Sequence, residues 1–136
     1  MAVGHVLAPA HNEAGYIGPC LDSVLSAAYP DAKLQIIAVD DGSSDETYAE
    51  ATRHATDRVT VLRKPNGGKH STLNYGLRHA DGTLIMCIDG DSQIATDAIR
   101  RLVETYVART DACAVAGNVR VRNRDRVLTR IQALEY

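Results

Sequence analysis

Five short apolar runs, at residues 3–8, 34–40, 59–62, 84–89 and 112–121, alternate with stretches whose apolar residues recur at helical spacing. This alternation is what most restricts the fold. Ile17, Leu21, Val24, Leu25 and Ala28 mark a first helix. Residues 44–56 mark a weaker second, with Tyr48, Thr52 and Ala55 on one face. Leu73, Leu77 and Ala80 predict a third. Ala98, Ile99, Leu102, Val103, Tyr106 and Val107 predict a fourth, and Val127, Leu128, Ile131 and Leu134 carry a last one over 124–136. Strand and helix in strict turn imply βαβ units, hence an α/β fold with a mostly parallel sheet covered by helices on both faces. The unbroken apolar character of 36–39 and 84–88 predicts central strands. Right-handed crossovers collect the loops that follow the strands along one sheet edge, where ligands of such folds bind.

Size and charge narrow the class. The chain has 136 residues, within the range of one domain. A net charge of −2 argues against a nucleic-acid partner. No apolar run approaches the ~18 residues of a membrane span. Cys20, Cys87 and Cys113 show no metal or redox spacing and are expected to be buried free thiols in a reducing compartment. The five histidines form no metal pattern, although His11 falls where it would border a site.

The residues after the runs carry the chemistry. They are Pro9-Ala10-His11-Asn12-Glu13, Asp40-Asp41-Gly42-Ser43-Ser44-Asp45, Pro65-Asn66-Gly67-Gly68-Lys69 and Asp89-Gly90-Asp91. Neither a dinucleotide Gly-x-Gly-x-x-Gly nor a P-loop is present, since Arg63 and His70 replace the residues a P-loop needs. Asp89-Gly90-Asp91 is an ordinary turn when isolated. At a strand end its two carboxylates can also hold Mg²⁺ or Mn²⁺, which would neutralise a diphosphate leaving group. Asp40 and Asp41 repel one another unless a donor or cation relieves them, which favours ligand contact. Ser44 or Asp45 can cap the second helix, with Glu46 and Glu50 favoured in its first turns by the dipole. Lys69 sits at a helix start, where the dipole disfavours a cation and a phosphate would resolve the mismatch.

Taken in order, these segments resemble the family 2 glycosyltransferases of the GT-A fold. Gly67-Gly68-Lys69 with Leu73-Asn74-Tyr75-Gly76 belongs to the matching set. Gly117-Asn118-Val119-Arg120 and Gln132-Ala133-Leu134-Glu135-Tyr136 look like the processive polysaccharide synthases of the poly-N-acetylglucosamine, hyaluronan and chitin type. The resemblance implies a Rossmann-like sheet and a nucleotide-sugar-binding part over residues 1–136. Pro9, Ala10, Asn12, Glu13, Asp40, Asp41, Gly68, Lys69 and Asp89 would then bind the donor nucleotide. One of Asp40 and Asp41 would accept the uracil N–H, while Asp89 and Asp91 would hold the metal. The implied reaction is inverting transfer of a hexosyl or N-acetylhexosaminyl unit from a UDP-sugar to a carbohydrate acceptor.

Inverting transfer needs a carboxylate base. The family places it in a later acidic segment, followed in processive members by Gln-x-x-Arg-Trp. Neither occurs before Tyr136, and no Trp is present. Asp97, Glu104 and Asp111 offer no setting that would promote them. The chain is therefore expected to be a donor-binding part truncated on its C-terminal side, cytoplasmic, from a parent protein at the inner face of the plasma membrane. An uncovered strand edge would favour a homodimer. The arginines at 120, 122, 124, 126 and 130 form either a solvated face or a phosphate, acceptor or lipid contact. Rival expectations are a binding module without turnover and a nucleotidyltransferase.

Overall fold

The computed structural model describes residues 4–111 and 114–117. The chain divides into two compact units, residues 1–100 and 101–136. The first carries four parallel strands: β1 (Gly4–Ala10), β2 (Leu34–Asp41), β3 (Val59–Lys64) and β4 (Leu84–Cys87), ordered β3-β2-β1-β4. Helices α1 (Ile17–Leu25), α2 (Thr47–Thr52) and α3 (Lys69–Leu77) connect them, and a 3₁₀ turn (Asp31–Lys33) leads into β2. Helix α4 (Ala98–Ala108) starts in the first unit and continues into the second.

Strand order fixes helix placement. The steps β1→β2→β3 run in one direction and β4 returns to the far side of β1. Right-handed connections therefore set α1 and α2 on one face and α3 on the other, with the direction reversing between β1 and β4. Side chains agree. Leu7, Ile37 and Val39 point to the α3 side, joined by Leu62, Leu73, Tyr75 and Ala80. Helix α3 comes close because residue 76 is glycine: a Cβ there would lie 3.3 Å from Val39 and 3.4 Å from Leu7. On the alternate face, Val6, Ala8, Ile36 and Ala38 are equally buried, as are Ile17, Cys20, Leu21 and Val24 of α1. Full burial of each aliphatic side chain contributes about 1.5–3 kcal/mol.

Two expectations change. Among the described residues, 84–88 do not form a central strand: β4 pairs only with β1 and lies at the sheet edge. Cys87 is consequently exposed, whereas Cys20 is buried as expected. The fifth apolar run lies partly, and the last predicted helix wholly, outside the described residues, as do Cys113 and the arginines from 120 to 130. Strands β1 and β2 also run further than their apolar content suggests, so Pro9, Ala10 and Asp41 are strand residues.

Candidate active site

A cleft of about 250 Å³ opens where the strand order reverses. Pro9 and Ala10 reach it from β1, His11 and Glu13 from the loop that follows, Asp41 from β2, Lys69 and Thr72 from α3, and Asp89, Gly90 and Asp91 from the segment after β4. Asn12, Asp40 and Gly68 are not among its lining residues. Their contacts explain why.

Asn12 ties two loops together. Its backbone is left-handed (φ 51°), a conformation Asn tolerates better than most residues. Its N–H donates to Ser43 Oγ (2.9 Å), and its Oδ1 accepts from the Ser44 N–H (2.9 Å). The next N–H, of Glu13, donates to Thr47 Oγ1 (2.8 Å). The loop after β1 is thereby laced to the start of α2. Gly42 (φ +66°) permits the return turn, since a Cβ there would lie 2.7 Å from the Asn66 nitrogen.

The paired acids of β2 are relieved from within. Register sets Asp40 opposite Arg63 and Asp41 opposite Lys64 on β3. Arg63 Nε lies 3.3 Å from Asp40 Oδ2, and the arginine also stacks over Tyr48 at 5.0 Å. Lys64 Nζ donates to Asp41 Oδ1 (2.7 Å), while the N–H groups of Gly67 and Gly68 donate to its two oxygens (2.9 Å each). Burial alone would raise the Asp41 pKa, but Lys64, Gly67, Gly68 and the Thr72 hydroxyl together hold it below the usual carboxylate value. No outside cation is needed to reconcile the two acids. Asp40 is less satisfied: its Oδ1 is buried without a hydrogen-bond partner among the described residues.

His11 borders this network. Its Nδ1–H donates to the Asp41 carbonyl (2.9 Å), which also accepts from the Asn66 amide (3.2 Å), and Nε2 is left to accept from the Asn12 amide (3.4 Å). Glu50 reaches from α2 to the start of α1, accepting from the N–H groups of Gly15 (2.7 Å) and Gly18 (2.5 Å). Glu50 thus caps α1, which has no side-chain cap of its own, instead of serving its own helix.

The β4 side differs. The Ile88 N–H donates to the Leu7 carbonyl (3.0 Å) and the Gly90 N–H to the Pro9 carbonyl (3.1 Å), which continues the strand pairing. The Cys20 thiol donates to the Asp89 carbonyl (3.5 Å), and burial followed by the nearby carboxylates pushes its pKa up to about 12. It is a structural thiol. On this fixed backbone the Asp89 carboxylate is exposed and pairs with the Lys69 ammonium, whose pKa that bond raises. Asp91 is exposed, and its carboxylate has no hydrogen bond or ion pair among the described residues. Across the cleft, burial and then the charges of Asp91, Asp89 and Asp45 raise the Glu13 pKa.

Among the described residues no group of three or more His, Cys, Asp or Glu gathers at metal-binding distance. Two exposed carboxylates one residue apart still suit Mg²⁺ or Mn²⁺, which take much of their shell from water and phosphate. The sequence did not point to Lys64, Thr72 or Thr47, gave Arg63 no role at the site, and placed Glu50 only in the dipole of α2. The cross-strand pairing of two acids with two bases, Asp40-Asp41 against Arg63-Lys64, was the available signal for two of them.

The chain resembles several known proteins. Over 130 residues it is 37% identical to a poly-beta-1,6-N-acetyl-D-glucosamine synthase of Staphylococcus epidermidis, covering 93% of this chain and 31% of that protein. The enzyme of the same name from Staphylococcus aureus (strain MSSA476) is 35% identical over 128 residues, with the same coverage. The chain therefore spans about a third of the length of the curated relatives it matches. Among solved structures, a mannosyltransferase from Pyrobaculum calidifontis in complex with GDP-Man and Mn²⁺ superposes with a TM-score of 0.80 at 30% identity, covering 90% of this chain and 37% of that one. S. aureus TarS 1-349 in complex with UDP-GlcNAc shares the fold, with a TM-score of 0.68 at 18% identity over 88% of this chain and 38% of that one. Residues 5–134 match the family described as Glycosyl transferase family 2, and the chain belongs to that family.

Proposed function

We propose that residues 1–136 form the nucleotide-sugar-binding part of a glycosyltransferase that transfers a hexosyl or N-acetylhexosaminyl unit from a UDP-sugar, with inversion, to a growing polysaccharide or other carbohydrate acceptor. One observation carries this reading: Lys69, Asp89 and Asp91 meet at the mouth of a cleft at the switch point of the sheet. An ammonium beside two carboxylates suits a ligand that is itself a diphosphate with a divalent counter-ion. The relatives named as N-acetylglucosamine polymer synthases support the choice of sugar class.

In this reading Pro9, Ala10 and Glu13 form the nucleotide wall, and Asp41 holds that wall in place with Gly68. Asn12 and Asp40 act one layer behind, fixing the loops after β1 and β2. Asp89 and Asp91 would hold Mg²⁺ or Mn²⁺, whose chemistry is to neutralise charge on the departing diphosphate. Lys69 supplies a further positive charge toward the same diphosphate, and Gly90 keeps the floor free of side chains. The catalytic base is assigned to none of the described residues. Among them, no helix is long and apolar enough to cross a membrane. Attachment at the inner membrane face is proposed for other parts of the parent protein.

Calorimetric titration with UDP, UDP-N-acetylglucosamine, GDP-mannose and CTP, each with and without Mn²⁺, tests this function. The expected result is tightest binding of the uridine nucleotides, strengthened by Mn²⁺ in the native chain and not in Asp91→Ala. Preference for CTP would move the chain to nucleotidyl transfer. Metal-independent UDP binding that is unchanged in Asp91→Ala would remove the metal assignment.

A further inference from the structure

The ion pair of Lys69 with Asp89 joins a movable partner to a fixed one. Asp89 belongs to a segment held at four points: Ile88 N–H to the Leu7 carbonyl, Gly90 N–H to the Pro9 carbonyl, Ser92 N–H to the Asp89 carbonyl (2.9 Å), and the Cys20 thiol to that same carbonyl. The segment is also tightly seated, because a Cβ at Gly90 would lie 3.0 Å from both Ala10 Cβ and the Pro9 carbonyl oxygen. Lys69 has no such restraint. Its side chain is 63% exposed, carries its charge on a flexible four-carbon stem, and starts α3, where the helix dipole opposes a cation. What keeps the ammonium at the cleft is Asp89, and an exposed pair of this kind is worth little.

We propose that Lys69 and a divalent cation are alternative partners of Asp89, and that the ammonium, once displaced, transfers to an oxygen of the nucleoside diphosphate that accompanies the cation. The inference rests on the donor-cleft reading above and adds a coupling to it. A cation arriving alone must displace Lys69 and leave it without an anion beside the positive end of α3. A diphosphate arriving alone finds Lys69 already engaged. Together, each relieves the cost borne by the other. Metal and nucleotide therefore bind with positive coupling, which is reciprocal by thermodynamic necessity.

The test is calorimetry on the full chain with MnCl₂ alone, UDP alone, and MnCl₂ in saturating UDP, for the native protein, Lys69→Met, Lys69→Arg and Asp91→Asn. Lys69→Met is expected to bind Mn²⁺ alone about two- to fivefold more tightly, the scale of one exposed ion pair. It should also bind UDP alone more weakly and lose most of the strengthening that UDP gives to Mn²⁺. Lys69→Arg should keep that strengthening. The exchange is overturned if Lys69→Met binds Mn²⁺ alone no more tightly than the native chain, while Asp91→Asn abolishes Mn²⁺ binding and so leaves the donor-cleft reading intact. Absence of Mn²⁺ binding to the native chain, with or without UDP, overturns the exchange together with the metal assignment, and absence of UDP binding overturns the donor-cleft reading.

Discussion

On the β2 side of the cleft, Asp41 is buried and its two oxygens take donors from Lys64, Gly67 and Gly68. On the β4 side, Asp89 and Asp91 are exposed; one holds a movable lysine and the other carries no partner among the described residues. The same residue types end the two strands, yet they do different things. Burial makes an unpaired charge costly, and at Asp41 both oxygens are accordingly satisfied, although Asp40 beside it keeps one unpartnered oxygen among the described residues. Exposure tolerates an unfilled valence, because water supplies it. The first half of the rim thus serves as scaffold, while the second leaves its charge open to solvent or a ligand.

The comparison is broken most severely at Asp41. Asp41→Ala leaves the Lys64 ammonium and two glycine N–H groups without their acceptor, and about 3–5 kcal/mol of stability is expected to be lost in urea denaturation. The same group sets an acid limit. Its folded pKa is depressed, so its contribution is present above the unfolded carboxylate value of about 3.9 and is lost as pH falls through the folded value. A stability–pH curve should steepen below about pH 4 in the native chain and flatten there in Asp41→Asn.

Glu50→Ala comes next. It removes a cap that spans two helices, and about 1–2 kcal/mol should be lost, with faster hydrogen exchange at Gly15 and Gly18. At Asp91 the contrast is sharpest. Asp91→Asn should change stability by no more than about 0.5 kcal/mol while removing the Mn²⁺ dependence of UDP binding. An equally large loss of stability at Asp91 and Asp41 would erase the distinction between scaffold and open rim. The smallest effect belongs to Glu13, whose folded pKa is raised. Native protein then holds the proton more tightly than unfolded chain, so stability falls as pH rises through that folded value. Glu13→Gln should remove this decline without disturbing the acid limit set by Asp41.

Much of the architecture was readable because it rests on periodicity. Apolar runs and helical spacing located all four described strands and the alternation that places their loops on one edge. The rest depended on register. Asp40 and Asp41 looked alike, and only the pairing of β2 with β3 set Arg63 and Lys64 against them. Glu50 obeyed the dipole rule for α2, but distance assigned it to α1, because a side chain serves whichever helix end lies within reach. Apolar content could not show that, among the described residues, β4 would pair on one side only and leave Cys87 exposed. At the site, the sequence located the acids and the lysine but not which of them folding would consume.

The pairing of Gly4 with Leu84 also has a consequence in time. A chain synthesised from its N-terminus can join β1, β2 and β3 as each appears, and the donors to Asp41 are complete once Thr72 has emerged. Strand β4 must then return past β2 and β3 to dock on β1, and long-range pairing of this kind is slow. The scaffold half of the rim is thus expected to be protected before the exposed half exists. Proteolysis of arrested nascent chains should show resistance spreading from β2 before residues 84–91 become protected. Simultaneous protection would mean that the sheet forms only as a unit.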